Sequence, residues 1–316
     1  IGDYVSWKET YDGEKVDLNI TYWALKADES KAKKQYKEVP RMLAAFEHWF
    51  GPYPFYEDGY QLVQAPYLGM EHQSSVTYGN KFENGYLGRD LSTTGWGMKF
   101  DFIIVHESGH EWFANNITHK DHADMWIHES FTNYSESLFL DYHFGKEAGQ
   151  EYVRGTRTAI GNKLPMIGPY GVNYDGYPSD VYYKGGNMLN TLRTLTNDDE
   201  KWRGMLRTLG EVFYHKTVNS AEFEAQIAES LEMNLEATFD QFLRDRRLPT
   251  FEYYFKDGTL MYRWINAIDT FDMPLDVVIN GKKSRLSPTT RWGRLATEGN
   301  ELSIDENFYI GVLKSR

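Results

Sequence analysis

An apolar helical segment with two histidines four residues apart constrains this chain more than any other feature. From Met98 to Asn115 the residues are apolar on most sides of a helix, which predicts a buried helix. Inside this segment stands the run His106-Glu107-Ser108-Gly109-His110. Residues four apart lie on one face of a helix, so both imidazoles can reach a single ion. The alternative is a buried helix with two hydrogen-bonded histidines, so a metal site needs support from elsewhere in the chain.

That support comes from the next predicted helix, which runs from about Asp124 to Phe144. The chain contains no cysteine, so a metal site must use histidines and carboxylates. Catalytic zinc usually takes three protein ligands plus water, and Glu129 is the candidate third ligand. Glu136 lies two turns further on the same face, where it can accept a proton from a ligating imidazole. Three histidines compete on composition alone; we interpret His119 and His122 as loop surface residues, and His128 as one residue off the Glu129 face.

The overall charge and hydropathy argue against two classes of partner. The net charge of −12 argues against nucleic acid, because phosphate binding needs clustered lysine and arginine. No apolar run approaches the roughly 20 residues needed to cross a bilayer, so we predict no transmembrane segment in this chain. The sequence indicates neither an oligomeric state nor a compartment, and it is compatible with both the cytoplasm and the cell envelope.

Hydrophobic periodicity predicts a mostly helical body between a β segment and a small β module. Residues 15–26 predict a strand without a partner strand before it, so we expect the chain to be a processed form or a piece of a longer protein. Asp180 is expected to cap a later helix. After residue 250, the turns Asp257-Gly258 and Asn280-Gly281 predict two β-hairpins.

The segments His106–Thr118 and Asp124–Leu138 resemble the zinc signature of the aminopeptidase N family. This family includes leukotriene hydrolase and belongs to the gluzincin peptidases. Its pattern is two histidines in HExxH followed by a glutamate, with eighteen residues between the second histidine and the glutamate. The resemblance therefore implies one zinc ion per chain, held by His106, His110 and Glu129.

The same signature implies further roles and shows two departures. Glu107 is implied as the general base that takes a proton from the attacking water, and Glu136 also stands where the family carries glutamate. Glu111 stands where glutamine is usual, and His128 where asparagine is usual. Neither departure changes an implied ligand.

Two more segments resemble family motifs in the same order along the chain. Leu68-Gly69-Met70-Glu71-His72 resembles the GAMEN motif, whose glutamate binds the free α-amino group, so Gly69, Met70 and Glu71 are implied in substrate binding. His72 replaces the family asparagine. Tyr182-Tyr183-Lys184-Gly185 resembles the Y-x-K-G segment, whose tyrosine stabilises the oxyanion, and this role falls on Tyr182. Taken alone, Glu71 could be a surface carboxylate and Tyr182 a core ring; three ordered motifs favour the functional interpretation.

The resemblance covers about residues 15–250 and implies an α+β fold with a mostly helical, thermolysin-like catalytic domain over residues 27–250. We expect residues 1–26 to be the tail of an otherwise absent N-terminal β-domain, and residues 251–316 to be a small β-domain. The implied function is a zinc-dependent aminopeptidase for peptides with a free N-terminus. The alternatives are an endopeptidase or epoxide hydrolase of the same fold, and an inactive peptide-binding module.

Overall fold

The computed structural model describes residues 2–315; Ile1 and Arg316, the ends of the predicted first and last units, lie outside the described residues. The strands are β1 (Tyr4–Asp12), β2 (Asp17–Leu25), β3 (Tyr60–Gln64), β4 (Gly69–Met70), β5 (Val76–Tyr78), β6 (Ile117–His119), β7 (Lys216–Val218), β8 (Thr250–Lys256), β9 (Thr259–Ile265), β10 (Leu275–Ile279), β11 (Lys282–Leu286), β12 (Gly293–Ala296), β13 (Leu302–Ile304) and β14 (Gly311–Lys314). The α-helices are α1 (Glu29–Gln35), α2 (Glu38–Phe50), α3 (Phe102–Gly109), α4 (Trp126–Phe144), α5 (Lys146–Gly155), α6 (Asp180–Thr196), α7 (Asp199–Val212), α8 (Ser220–Leu231) and α9 (Glu236–Phe239). Shorter helical turns are 3₁₀ at Lys26–Asp28, Trp96–Lys99, His122–Asp124 and Thr156–Ala159, and π-helical at Glu111–Asn116 and Asp240–Arg244.

The first sheet contains five strands in the order β1-β2-β3-β5-β4. The expectation that the strand at residues 15–26 lacks an earlier partner was wrong, because β1 pairs with β2 along its whole length, from Tyr4↔Leu25 to Asp12↔Asp17. Only alternate residues of β1, such as Trp7 and Tyr11, pack against the body, and the charged residues between them hid the pattern. At the opposite edge, β4 pairs antiparallel with β5.

The predicted helix from Met98 to Asn115 is shorter in the structure. Helix α3 begins after Asp101, whose carboxylate accepts hydrogen bonds from the backbone N–H groups of Ile103 and Ile104 at 3.1 and 3.2 Å. The helix ends at Gly109, and the following π-helical turn contains Phe113 (φ −120°, ψ 79°) and Ala114 (φ 157°, ψ −59°) outside helical geometry. The backbone therefore turns sharply just after the second histidine.

Helix α4 lies at the centre of the helical body, and every residue from Trp126 to Leu140 is buried. Helix α6 packs closely along it because Gly185 faces α4; a Cβ at this position would lie 1.9 Å from Ser130 Oγ. The hydroxyl of Ser130 also donates a hydrogen bond to the carbonyl of Val181 at 2.7 Å. The start of α6 is thus fixed against the middle of α4.

The prediction that Asp180 caps α6 was wrong. Ser179 occupies the N-cap position without a side-chain hydrogen bond, and Asp180 is the first helical residue. Its carboxylate instead accepts from the N–H groups of Gly161 and Asn162, both at 2.7 Å. The carboxylate of Asp180 therefore anchors the preceding loop. It does not cap the helix because the loop amides occupy both of its oxygens.

The two predicted hairpins after residue 250 are confirmed, since β8 pairs with β9 and β10 with β11. Both turns take left-handed backbone conformations, with φ of 47° and 73° at Asp257-Gly258 and 47° and 79° at Asn280-Gly281. A helical body combined with separate sheets agrees with the predicted α+β class. Within residues 2–315, no helix has both the length and the apolar character needed to span a membrane.

Candidate active site

Helix α3, the residue that directly follows it and helix α4 bring together three buried side chains: His106, His110 and Glu129. The Nε2 atoms of His106 and His110 lie 3.6 and 3.5 Å from Oε2 of Glu129. The three potential ligand atoms all lie within 4.8 Å of one another. The structure thus places the three predicted metal ligands around one point.

Each histidine is oriented through its other ring nitrogen. Nδ1 of His106 lies 2.8 Å from Oε1 of Glu136, and Nδ1 of His110 lies 3.0 Å from the carbonyl oxygen of Phe113. A carbonyl oxygen only accepts, so Nδ1 of His110 donates to it, and in the neutral imidazole this leaves Nε2 with a lone pair. Glu136 is itself held by the hydroxyl of Tyr152 at 2.5 Å. Partners of this kind fix the ring orientation of metal-binding histidines.

The carboxylate of Glu129 shows that these residues fit a zinc ion. Oε2 of Glu129 is buried and has no hydrogen-bond partner, which is costly for an anionic oxygen. Burial raises the pKa of Glu129. His110 and His106 lower this pKa by a larger amount, so its net value is below the ordinary one. Two imidazole nitrogens and one carboxylate oxygen form a donor set typical of catalytic zinc.

The pKa of His106 agrees with a site that favours positive charge. Burial alone lowers the pKa of His106, yet the nearby carboxylates of Glu129 and Glu136 raise it well above its ordinary value. Without a metal, the carboxylates therefore attract a proton to this position.

Strand β4 runs directly beside Glu107. A Cβ on Gly69 would lie 2.9 Å from both Cγ and Oε1 of Glu107 and 2.7 Å from Cγ2 of Ile103, so only glycine allows this approach. Potential ligand atoms of Glu71, Glu107 and His110 also lie within 4.8 Å of one another. Burial raises the pKa of Glu107, and the charge of Glu71 adds to this effect. Glu71 therefore faces the same site as Glu107, whereas Met70 beside it is 44% exposed.

Helix α6 brings Tyr182 to the site. Its hydroxyl donates a hydrogen bond to Oε1 of Glu129 at 3.0 Å. Burial raises the pKa of Tyr182, and the charge of Glu129 raises it further, so the hydroxyl stays a donor at neutral pH. Tyr183 faces elsewhere, and its pKa is raised to about 12 by burial and by Glu136. The structure therefore places the predicted tyrosine of this pair next to the candidate ligands.

The three competing histidines form a separate cluster, and the interpretation of His119 and His122 as loop surface residues was wrong. Both are half-buried, and His119 belongs to strand β6. The backbone N–H of His119 donates to Nε2 of His128 at 2.9 Å, and the two rings stack with centroids 4.0 Å apart. Among residues 2–315, no group of potential metal ligands includes any of these histidines.

Sequence reasoning did not single out Tyr177, which lies five residues before Tyr182 in the loop that leads to α6. Burial raises the pKa of Tyr177, and the charges of Glu129 and Glu71 raise it further. A lone tyrosine in a loop carries no sequence signal for such a position. Glu111 and Asn115 also contact the segment near Glu71, although the sequence analysis noted Glu111 only as a departure from the motif and gave Asn115 no role.

Comparison with protein families gives one match over most of the chain. A model described as the peptidase family M1 domain matches residues 35–242. Curated relatives include endoplasmic reticulum aminopeptidase 1 of Mus musculus, 24% identical over 217 residues, which are 65% of this chain and 23% of that protein. Aminopeptidase B of Rattus norvegicus is 25% identical over 64% of this chain and 32% of its own length. Leukotriene A-4 hydrolase of Xenopus laevis is 26% identical over 67% of this chain and 36% of its own length.

The fold is also similar to a solved structure. Aminopeptidase A of Legionella pneumophila, crystallised in complex with aspartic acid, aligns with a TM-score of 0.76 at 14% identity. The alignment covers 100% of this chain and 38% of that protein. The chain thus spans only about a quarter to a third of the length of these curated relatives.

Proposed function

The chain belongs to peptidase family M1, and from this premise we propose that it is the catalytic part of a zinc-dependent aminopeptidase. Its substrates would be peptides with a free N-terminus. The observation that carries the proposal is the closeness of Glu71 and Glu107 to His110. In this arrangement Glu71, which would bind the substrate ammonium, lies beside Glu107, which would act as the base. We further propose a thermolysin-like catalytic domain over residues 27–250, flanked by residues 1–26 and a β-domain at 251–316.

In this proposal His106, His110 and Glu129 hold one zinc ion. The unpartnered Oε2 of Glu129 and the oriented histidine rings support this assignment. When bound, zinc supplies Lewis acidity, which lowers the pKa of a ligated water to about 7 and polarises a carbonyl oxygen. Glu136 would act through His106 by fixing the ring.

Glu107 and Tyr182 would perform the proton transfer and the charge stabilisation. The carboxylate of Glu107 accepts the proton of the attacking water and then donates it to the amine that leaves the peptide. Because burial raises its pKa, Glu107 is a stronger base than an exposed glutamate. The hydroxyl of Tyr182 would turn from Glu129 and donate its one proton to the carbonyl oxygen as negative charge develops there, which stabilises the transition state.

Glu71 would restrict the reaction to the first peptide bond. Its carboxylate binds the substrate α-ammonium, and a charge-assisted hydrogen bond of this kind is worth about 1.5–3 kcal/mol. Gly69 and Met70 would lie along the substrate backbone, with Gly69 allowing the strand to approach Glu107. A substrate held in this way presents only one bond to Glu107.

The proposal is tested with a panel of fluorogenic aminoacyl amides, assayed with and without a chelator. We expect hydrolysis that the chelator abolishes and added zinc restores. Glu107→Gln should keep stoichiometric zinc but lose at least about 10²-fold in kcat, because an amide cannot accept the proton. No hydrolysis of any panel member by the zinc-loaded protein would contradict the proposal, and near-normal kcat in Glu107→Gln would contradict the role of Glu107.

A further inference from the structure

Two side chains from the turn after α3 contact the segment that carries Glu71. Oε1 of Glu111 accepts a hydrogen bond from the backbone N–H of Ser74 at 2.7 Å. Nδ2 of Asn115 donates to the backbone carbonyl of Glu71 at 2.9 Å. The segment from Glu71 to Ser74 is therefore held at both of its ends by the π-helical turn.

Other hydrogen bonds support the Ser74 end of this segment: the N–H of Gln61 donates to the carbonyl of Ser74 at 3.1 Å, and the N–H of Ser75 to that of His72 at 2.9 Å. The Glu71 end depends on the bond from Asn115.

Strand β4 contributes only two residue pairs, Gly69↔Tyr78 and Met70↔Thr77, and it ends before Glu71. Ser74 has a φ of 54°, a left-handed conformation that is unfavourable for a residue with a Cβ. The carboxylate of Glu111 accepts the N–H of this same residue, so it stabilises the turn at its most strained point.

Glu111 is fully buried, and its second oxygen, Oε2, has no hydrogen-bond partner. A buried carboxyl group with an unpaired oxygen lowers the stability of a fold. Its presence is therefore not explained by packing alone. A positioning function would explain it.

We infer that Glu111 and Asn115 are positioning residues that fix the carboxylate of Glu71 relative to the metal ligands; this inference rests on the proposed aminopeptidase function. Glu111 directly follows His110, so one short turn sets both the second imidazole and the Glu71 segment. Productive geometry at an active site needs groups held within about 0.5 Å. The turn would keep the distance between the ammonium site and the metal site constant, and so determine which bond is cleaved.

The test compares Glu111→Ala, Glu111→Gln and Asn115→Ala with the parent protein on one peptide, with its N-terminus free and acetylated. In the parent, the free form should have the higher kcat/KM. Glu111→Ala should raise KM for the free peptide and narrow the free-to-acetylated ratio at least 10-fold. Glu111→Gln keeps an oxygen that accepts the Ser74 N–H, and should restore most of the ratio. Asn115→Ala, at a half-buried position, should narrow the free-to-acetylated ratio in the same direction.

Gln241→Ala is the matched control. Gln241 is buried, and its Oε1 accepts the backbone N–H of Ile268 at the same distance of 2.7 Å, but it holds a loop without a proposed site residue. Gln241→Ala should lower the melting temperature and leave the free-to-acetylated ratio of kcat/KM unchanged. Unchanged free-to-acetylated ratios in both Asn115→Ala and Glu111→Ala would overturn the inference. If Glu111→Ala does not fold, an unchanged ratio in Asn115→Ala alone would overturn it. Either result would leave the proposed aminopeptidase function intact. Equal kcat/KM for the two peptides in the parent would contradict both.

Discussion

Two hydrogen bonds set which nitrogen of each candidate histidine faces Glu129. Glu136 binds Nδ1 of His106, and the carbonyl of Phe113 lies against Nδ1 of His110. The spacing of Glu129 and Glu136 predicted from the sequence that Glu136 contacts one of the two imidazoles, without indicating which one. The second hydrogen bond depends on the backbone conformation at Phe113 and Ala114, where the sequence has neither glycine nor proline to indicate a turn. It was therefore not predictable from the pattern.

Tyr182 gives the sharpest prediction at this scale, because Tyr183 is its neighbour and an internal control. Tyr182→Phe should lower kcat by roughly 10²–10³ with little change in KM, since the hydroxyl acts on charge that exists mainly in the transition state. Tyr183→Phe should have a small effect, because its hydroxyl does not contact Glu129. Steady-state kinetics of the two variants check this. The reverse ranking would assign the role to the wrong tyrosine.

At the scale of elements, the position of Tyr182 depends on how closely α6 approaches α4. Periodicity predicted both helices, but not their contact, which depends on Gly185 facing Ser130. Strand β1 was missed for a different reason: charged residues interrupt its pattern, and its apolar side chains are covered only once it pairs with β2 and packs against the body. Local sequence therefore predicted the identity of these elements better than their packing.

Gly185→Ala should move α6 away from α4, since its Cβ would lie 1.9 Å from Ser130 Oγ. We expect a loss of about 1–3 kcal/mol in the free energy of unfolding, together with a lower kcat because Tyr182 moves with the helix. Gly204→Ala in α7 is the control, since nothing lies within 4 Å of its added Cβ. That variant should gain up to about 1 kcal/mol of stability from helix propensity. Urea unfolding and kcat check both variants, and a Gly185→Ala protein as stable and active as the parent would show that the close approach is dispensable.

At the scale of the whole molecule, the candidate site joins four elements that are far apart in sequence. The edge strand β4 carries the residues next to Glu71. The candidate ligands lie in α3, directly after α3 and in α4, and α6 carries Tyr182. The order of the motifs predicted this set of residues, but only the fold brings them within reach of one another. Because the chain spans about a quarter to a third of its curated relatives, a low absolute activity would not decide the function. A ratio of two substrates on one protein is a better test.

The most direct measurement is kcat/KM of the zinc-loaded protein for one peptide with a free and with an acetylated N-terminus. Acetylation removes the ammonium charge that Glu71 is proposed to bind and adds bulk beside it. We predict at least 10²-fold slower cleavage of the acetylated peptide, in line with a charge-assisted hydrogen bond of about 1.5–3 kcal/mol and the added steric cost. Glu71→Ala should raise KM for the free peptide and narrow the difference. Equal kcat/KM for the two peptides would contradict the aminopeptidase assignment and indicate an endopeptidase in which Glu71 is a surface carboxylate.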